Sequence, residues 1–162
     1  MNWTKIAESE FQLKQNETLL ATMKIRGGKA DCQTGGRNFK IRTKGFWGNQ
    51  IEFADAQGQI LTTIKPAGWF GSRWQFRLYG QDYQLIVRNS PLAEYAVQQN
   101  GRDVVAYSLK TKDSRAVAII SDYREKALYE LDLLLWYLFY AVAIGETGGT
   151  ATTELNLLLS AV

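Results

Sequence analysis

The chain has no histidine, one cysteine (Cys32) and two prolines in 162 residues. Without histidine, Ser-His-Asp and Cys-His nucleophilic systems cannot be built, and the commonest general base and metal ligand are gone. With a single cysteine, neither an intrachain disulfide nor a Cys/His zinc site can form within the chain, and the cysteine usage leans towards a reducing compartment. The glycine pairs Gly27-Gly28, Gly35-Gly36 and Gly148-Gly149 have neither the spacing nor the lysine of a phosphate-binding loop, so they read as turns. The first ten residues, Met1 to Glu10, hold no apolar run of signal-peptide length, and a cytoplasmic location is expected. Neither an enzyme nor a cofactor nor a bound metal is expected from this inventory. Paired carboxylates alone can support glycoside hydrolysis, but nothing in the sequence selects a pair.

What is present is apolar and aromatic. Hydrophobic residues make up 46% of the chain and charged residues 22%, enough to build one core, and the length fits one domain. From about residue 2 to 122, short β-branched and aromatic runs are broken by turn signals. Trp74, Phe76 and Leu78 alternate with Arg73, Gln75 and Arg77, and after Gly80-Gln81-Asp82 the alternation resumes at Tyr83, Leu85 and Val87. Asn100-Gly101 between two such runs predicts a tight type I′ hairpin. Further breaks at Gly27-Gly28, Gly35-Gly36, Asp55 to Gly58, Pro66 to Gly68, Asn89 to Pro91 and Lys112 to Ser114 space the runs as in a sandwich or barrel.

The segment from about 125 to 144 differs. Between Leu131 and Ile144 every residue except Asp132 is apolar, which leaves a helix no polar face. Such a rod must be enclosed by protein or by lipid. Fourteen helical residues reach about 21 Å, short of a bilayer's hydrocarbon core of roughly 30 Å, and Glu130 and Asp132 would be costly in lipid. The expected architecture is therefore mainly β: a closed antiparallel β-barrel of about ten to twelve strands filled by a hydrophobic C-terminal α-helix. The barrel with its helix would occupy residues 1–144, and 145–162 would form a C-terminal tail after the joint at Gly145 to Thr150. Asp122, Glu125, Glu130 and Asp132 gather where the helix should start and suit its N-terminal dipole. Glu130 and Asp132, if buried, need partners such as Arg124, Lys126 or barrel donors.

Several runs carry a family resemblance. Ile51-Glu-Phe53-Ala-Asp55-Ala-Gln-Gly58-Gln-Ile-Leu61-Thr-Thr-Ile64-Lys65, then Trp74 to Tyr79, the Tyr95 strand and the terminal apolar helix together resemble the tubby C-terminal-like superfamily, with its phospholipid scramblases and LURP-one-related proteins. The resemblance covers roughly residues 18 to 144. It implies a roughly twelve-stranded barrel threaded by its last helix, and phosphoinositide binding or a role at membrane surfaces. Two departures stand out: the chain continues from Gly145 to Val162, and it lacks the cysteine-rich segment and calcium loop of scramblases, so scrambling is not expected. None of the family's head-group-binding positions is carried over.

Charge is unevenly placed. Net charge is only +3, too little to indicate nucleic acid, yet between Lys24 and Lys44 seven basic residues face one acid, Asp31. Lys40, Arg42 and Lys44 alternate with Phe39, Ile41 and Thr43, and Lys24 and Arg26 with Met23 and Ile25, so strand periodicity puts each set of cations on one face. Lys24, Arg26, Arg37, Lys40, Arg42 and Lys44 are the candidate anionic-ligand residues, with anionic phospholipid or a membrane surface as partner. The competing reading of this stripe is a solvated outer face. Trp47, Trp69 and Phe70, in glycine-flanked loops, fit membrane-interface contacts or plugs for the barrel ends. Three functions stay open: a non-catalytic lipid-surface binder, peripheral to a membrane; a protein-interaction or structural module with no small ligand; and a tail-anchored membrane protein.

Overall fold

In a computed structural model, residues 1–44, 50–67, 73–89, 93–112 and 115–146 are described. They form twelve strands and one helix: β1 (Asn2–Ala7), β2 (Glu10–Gln15), β3 (Thr18–Arg26), β4 (Lys29–Thr34), β5 (Arg37–Lys44), β6 (Gln50–Asp55), β7 (Ile60–Pro66), β8 (Arg73–Leu78), β9 (Gln81–Asn89), β10 (Ala93–Gln99), β11 (Arg102–Lys112), β12 (Arg115–Asp122) and α1 (Glu130–Glu146). Each strand pairs antiparallel with the next in one twelve-stranded sheet, nearly closed into a barrel, with α1 packed against it.

Local chemistry explains the meander. Gly27-Gly28, Gly35-Gly36 and Asn100-Gly101 all take positive φ at both turn positions, as two-residue type I′ hairpins require. Asn16-Glu17 and Tyr79-Gly80 do the same. Along the strands one residue in two faces inward: Phe11 and Leu13, Met23 and Ile25, Phe39 and Ile41, Phe76 and Leu78, Tyr83 and Leu85 are all buried.

The helix fills the interior. Its first eight residues, Glu130 to Tyr137, are all buried, so no face of its first turns meets solvent. Trp136 stacks on Trp3 of β1 at 5.3 Å between centroids and receives Phe11 of β2 edge-on at 5.4 Å. On the other side Phe139 meets Tyr95 of β10 at 5.5 Å and Tyr107 of β11 at 5.9 Å. Among the described residues, no helix is long and apolar enough to cross a membrane.

The helix is displaced from its expected bounds. It begins at Glu130, not near 125, because the preceding segment bonds to itself in a non-helical pattern: both the backbone N–H and the guanidinium of Arg124 reach the Asp122 carboxylate, and Arg124 Nη1 also donates to the Leu128 carbonyl at 3.0 Å. Asp122 therefore ends β12, and Glu125 lies outside the helix, so neither belongs to its first turn. At its other end α1 continues through Gly145 to Glu146. The rest of the tail, 147–162, lies outside the described residues.

The barrel has two rims. The turns at 16–17, 35–36, 79–80 and 100–101 form the one where the helix enters, and the Ala7–Glu10 and Gly27–Gly28 turns lie at the far one. The helix spans between them: Glu130 meets Arg37 and Tyr79 at the entry rim, and the Tyr137 hydroxyl donates to the Gly28 carbonyl at 2.7 Å near the far rim.

Candidate functional site

The basic stripe is the outer face of β3, β4 and β5. Met23, Ile25, Ala30, Cys32, Phe39 and Ile41 point into the core, which leaves Lys24, Arg26, Lys29, Lys40, Arg42 and Lys44 on the opposite, outer side of these strands. Register sorts them into two rows. One runs Glu10, Lys24, Asp31, Lys40 across four strands, with signs alternating, and the Lys24 ammonium bonds the Glu10 carboxylate and holds it below the usual carboxylate range. The other, nearer the far rim, runs Arg26, Lys29, Arg42, Glu52.

That second row sets three cations directly opposite one another, an arrangement that costs stability in a sheet. Only its edge is neutralised: Glu52 accepts from Arg42 Nε at 2.7 Å and lies 3.0 Å from Lys44 Nζ, and these two cations, Lys44 first, hold its carboxyl below the usual range. Among the described residues Arg26, Lys29 and Lys40 make no salt bridge.

Arg37 stands apart. It shares the inward parity of Phe39 and Ile41, sits at the entry rim, and bonds the buried carboxylate of Glu130 while lying over the rings of Phe39 and Tyr79 at 5.3 and 5.6 Å. The structure thus brings five of the six candidate residues onto one face and gives the sixth to the helix. Trp47, Trp69 and Phe70 lie outside the described residues.

A second polar cluster is sealed inside. Trp3 Nε1 donates to the Tyr107 hydroxyl at 2.8 Å, Tyr107 donates to Asp132 Oδ1 at 2.7 Å, and Arg124 bonds the other Asp132 oxygen. Burial raises the Asp132 carboxyl above its ordinary value against the pull of Arg124 and Tyr107, and burial likewise lifts the Tyr107 hydroxyl. Arg124 and Tyr107 are the partners that two acids in an apolar rod demanded for Asp132; Arg37 and Tyr79 serve Glu130, while Lys126 is exposed and serves neither. Trp3, Tyr79 and Tyr107 carried no sequence signal for this role, since each sits in an ordinary strand or turn. Three of its members are shut off from solvent: Trp3 and Asp132 are 0% exposed and Tyr107 1%. Cys32 is also buried, with its thiol pushed up by desolvation, so it is a poor nucleophile. Among the described residues no group of acids and cysteine is arranged to hold a metal.

Comparison with known proteins adds no relative: the chain matches no family model, no curated protein and no solved structure.

Proposed function

We propose that this chain is a non-catalytic, tubby-like barrel of the cytoplasm that binds anionic phospholipid head groups at a membrane surface through the outer face of β3–β5. The observation that carries this reading is the Arg26–Lys29–Arg42 row. Three abutting cations are unfavourable to the sheet itself, so their placement is best explained by a partner of opposite charge. Each cation near an anionic membrane contributes roughly 1 kcal/mol. Support for a non-catalytic role comes from the absence of histidine and from the engagement of Glu52, Glu130 and Asp132, the buried carboxylates, by arginine or lysine.

A protein-binding module is the competing reading. It would favour a contiguous apolar patch, whereas the exposed Ile6, Leu19 and Ile60 fall singly on β1, β3 and β7. The test is co-sedimentation with phosphatidylcholine vesicles with and without phosphatidylserine. Binding should require the anionic lipid, weaken as salt rises, and fall by an order of magnitude or more in Arg26→Glu/Lys29→Glu; equal binding to neutral vesicles, or a variant that binds as the parent does, would defeat the proposal.

A further inference from the structure

The cations continue beyond β3–β5, around the far rim. β7 and β8 pair at Pro66 with Trp74, which sets Lys65 and Arg73 at that same end; both are exposed and face away from the buried Ile64 and Phe76 side of their strands. Lys5 of β1 is exposed towards this end as well. Among the described acids towards that end, Glu10, Glu52 and Glu94 are engaged by Lys24, Arg42, Lys44 and Arg88, leaving Asp31 of β4 and Glu8 on the Ala7–Glu10 turn. The entry rim has the opposite sign. Glu17, Asp55, Asp82, Asp122 and Glu125 lie in or beside its turns, with Asp103, Glu130 and Asp132 close by; of its cations Arg37, Arg77 and Arg124 are tied to acids, and Lys14, Arg102 and Lys126 leave the acids in excess.

We infer that the barrel meets an anionic bilayer end-on, with the far rim against the head groups and the entry rim turned away. This rests on the lipid-surface reading above and adds an orientation to it. A molecule with one basic and one acidic end turns its positive end towards a negative surface during approach, because the field acts on the whole charge distribution and not on one contact. A lateral approach through β3–β5 alone would leave Lys65 and Arg73 idle, several strands away in the sheet order. A bilayer is favoured over a nucleic acid because the net charge of the chain is only +3, short of the strongly basic balance of nucleic-acid-binding domains.

The experiment measures partitioning of the full chain onto phosphatidylcholine–phosphatidylserine vesicles for Lys65→Gln/Arg73→Gln, for Lys14→Gln/Arg102→Gln at the entry rim, and for Lys29→Gln. All five positions are in strands, and a melting curve confirms that each variant is folded. Each neutralised far-rim cation should lower the partition coefficient about fivefold, and the entry-rim pair should leave it unchanged. If Lys29→Gln weakens binding while Lys65→Gln/Arg73→Gln does not, docking is lateral and the orientation is wrong although the lipid reading stands. Equal losses from the two rims would also overturn it. A parent chain that ignores the vesicles, or prefers a single-stranded RNA oligonucleotide to them, removes the lipid reading and the orientation together.

Discussion

Replacing Tyr107 with phenylalanine removes one oxygen from the interior and should be among the costliest conservative changes in the chain. The hydroxyl is both acceptor and donor, taking the Trp3 indole N–H at 2.8 Å and giving its own proton to Asp132 at 2.7 Å. Its loss orphans the Trp3 N–H and one oxygen of Asp132, whose other oxygen Arg124 still holds, at two fully buried residues. Each orphan costs about 1–3 kcal/mol, and the charged one falls at the upper end. The ring itself stays, so its contacts with Trp136 and Phe139 persist and no cavity larger than one atom opens. A total of about 3 kcal/mol is a large part of a stability of roughly 5–15 kcal/mol, and at about 2–4 °C per kcal/mol for a domain of this size it lowers Tm by about 6–12 °C. Differential scanning calorimetry of Tyr107→Phe measures this directly. A fall of less than about 2 °C would mean that the hydroxyl bridges nothing of consequence, and the buried chain of bonds would lose its place in the account.

Arg37→Met tests whether Arg37 belongs to the helix and not to the lipid-facing set: it should cost about 1–3 kcal/mol by leaving Glu130 buried with only the Tyr79 hydroxyl at 3.1 Å, yet leave vesicle binding intact, and urea denaturation that shows no shift would contradict it. Asp103→Asn should be costly at neutral pH and harmless in acid. Arg88 bonds both oxygens of Asp103 at 2.9 Å and holds its pKa below the ordinary value, so the carboxylate stabilises the fold above that ordinary value and the contribution is lost as pH falls through the depressed one. For this partly exposed pair the gap in unfolding free energy is about 0.5–1 kcal/mol near pH 7 and closes once acid protonates Asp103; a gap that persists in acid would refute the assignment. Gly28→Ala should destabilise by about 1–2 kcal/mol, more than Gly27→Ala, because both sit at positive φ but only at Gly28 would a Cβ meet Thr43 Oγ1, at 3.2 Å; equal Tm losses would argue against that contact.

Turns that need a positive φ are legible where glycine or asparagine supplies it, which is why Asn100-Gly101 and the glycine pairs could be placed from the sequence. Asn16-Glu17 could not, because a glutamate at φ 67° is unfavourable on its own and is held there by the pairing of β2 with β3, where Phe11 faces Met23 and Leu13 faces Ala21. Tyr79 at φ 50° is the same case. The fate of the apolar helix was legible for a related reason: a rod with no polar face admits few surroundings. Its start was not, since Glu125 and Lys126 look like ordinary first-turn residues until Arg124 is seen to hold the segment across the barrel mouth. In the basic stripe, strand parity correctly put Lys40, Arg42 and Lys44 on one face. The same parity separates Arg37 from them, because it counts with Phe39 and Ile41; nearness in sequence had grouped what alternation divides. What sequence could not supply is register between strands, and register is what sets Arg26, Lys29 and Arg42 side by side.

The two acids in the helix then have a physical rationale. Hydrophobic burial is non-directional, so a greasy rod inside a greasy barrel gains nearly the same free energy at several axial positions and rotations. Directional bonds remove that degeneracy, and here they come at both ends of the rod. Glu130 is held at one point of the entry rim by Arg37 of β5 and Tyr79 of the β8–β9 turn, Asp132 is held by Tyr107 of β11 and by Arg124, and the Tyr137 hydroxyl fixes the far end on Gly28. Because these partners lie on different strands, sliding or turning the helix by one residue would break several bonds at once and bury charges unpaired. Charge inside this core therefore sets the position of the helix, while its apolar surface provides the adhesion; and since Trp3 is tied to Tyr107, the same bonds draw β1 towards β11 across the ends of the sheet.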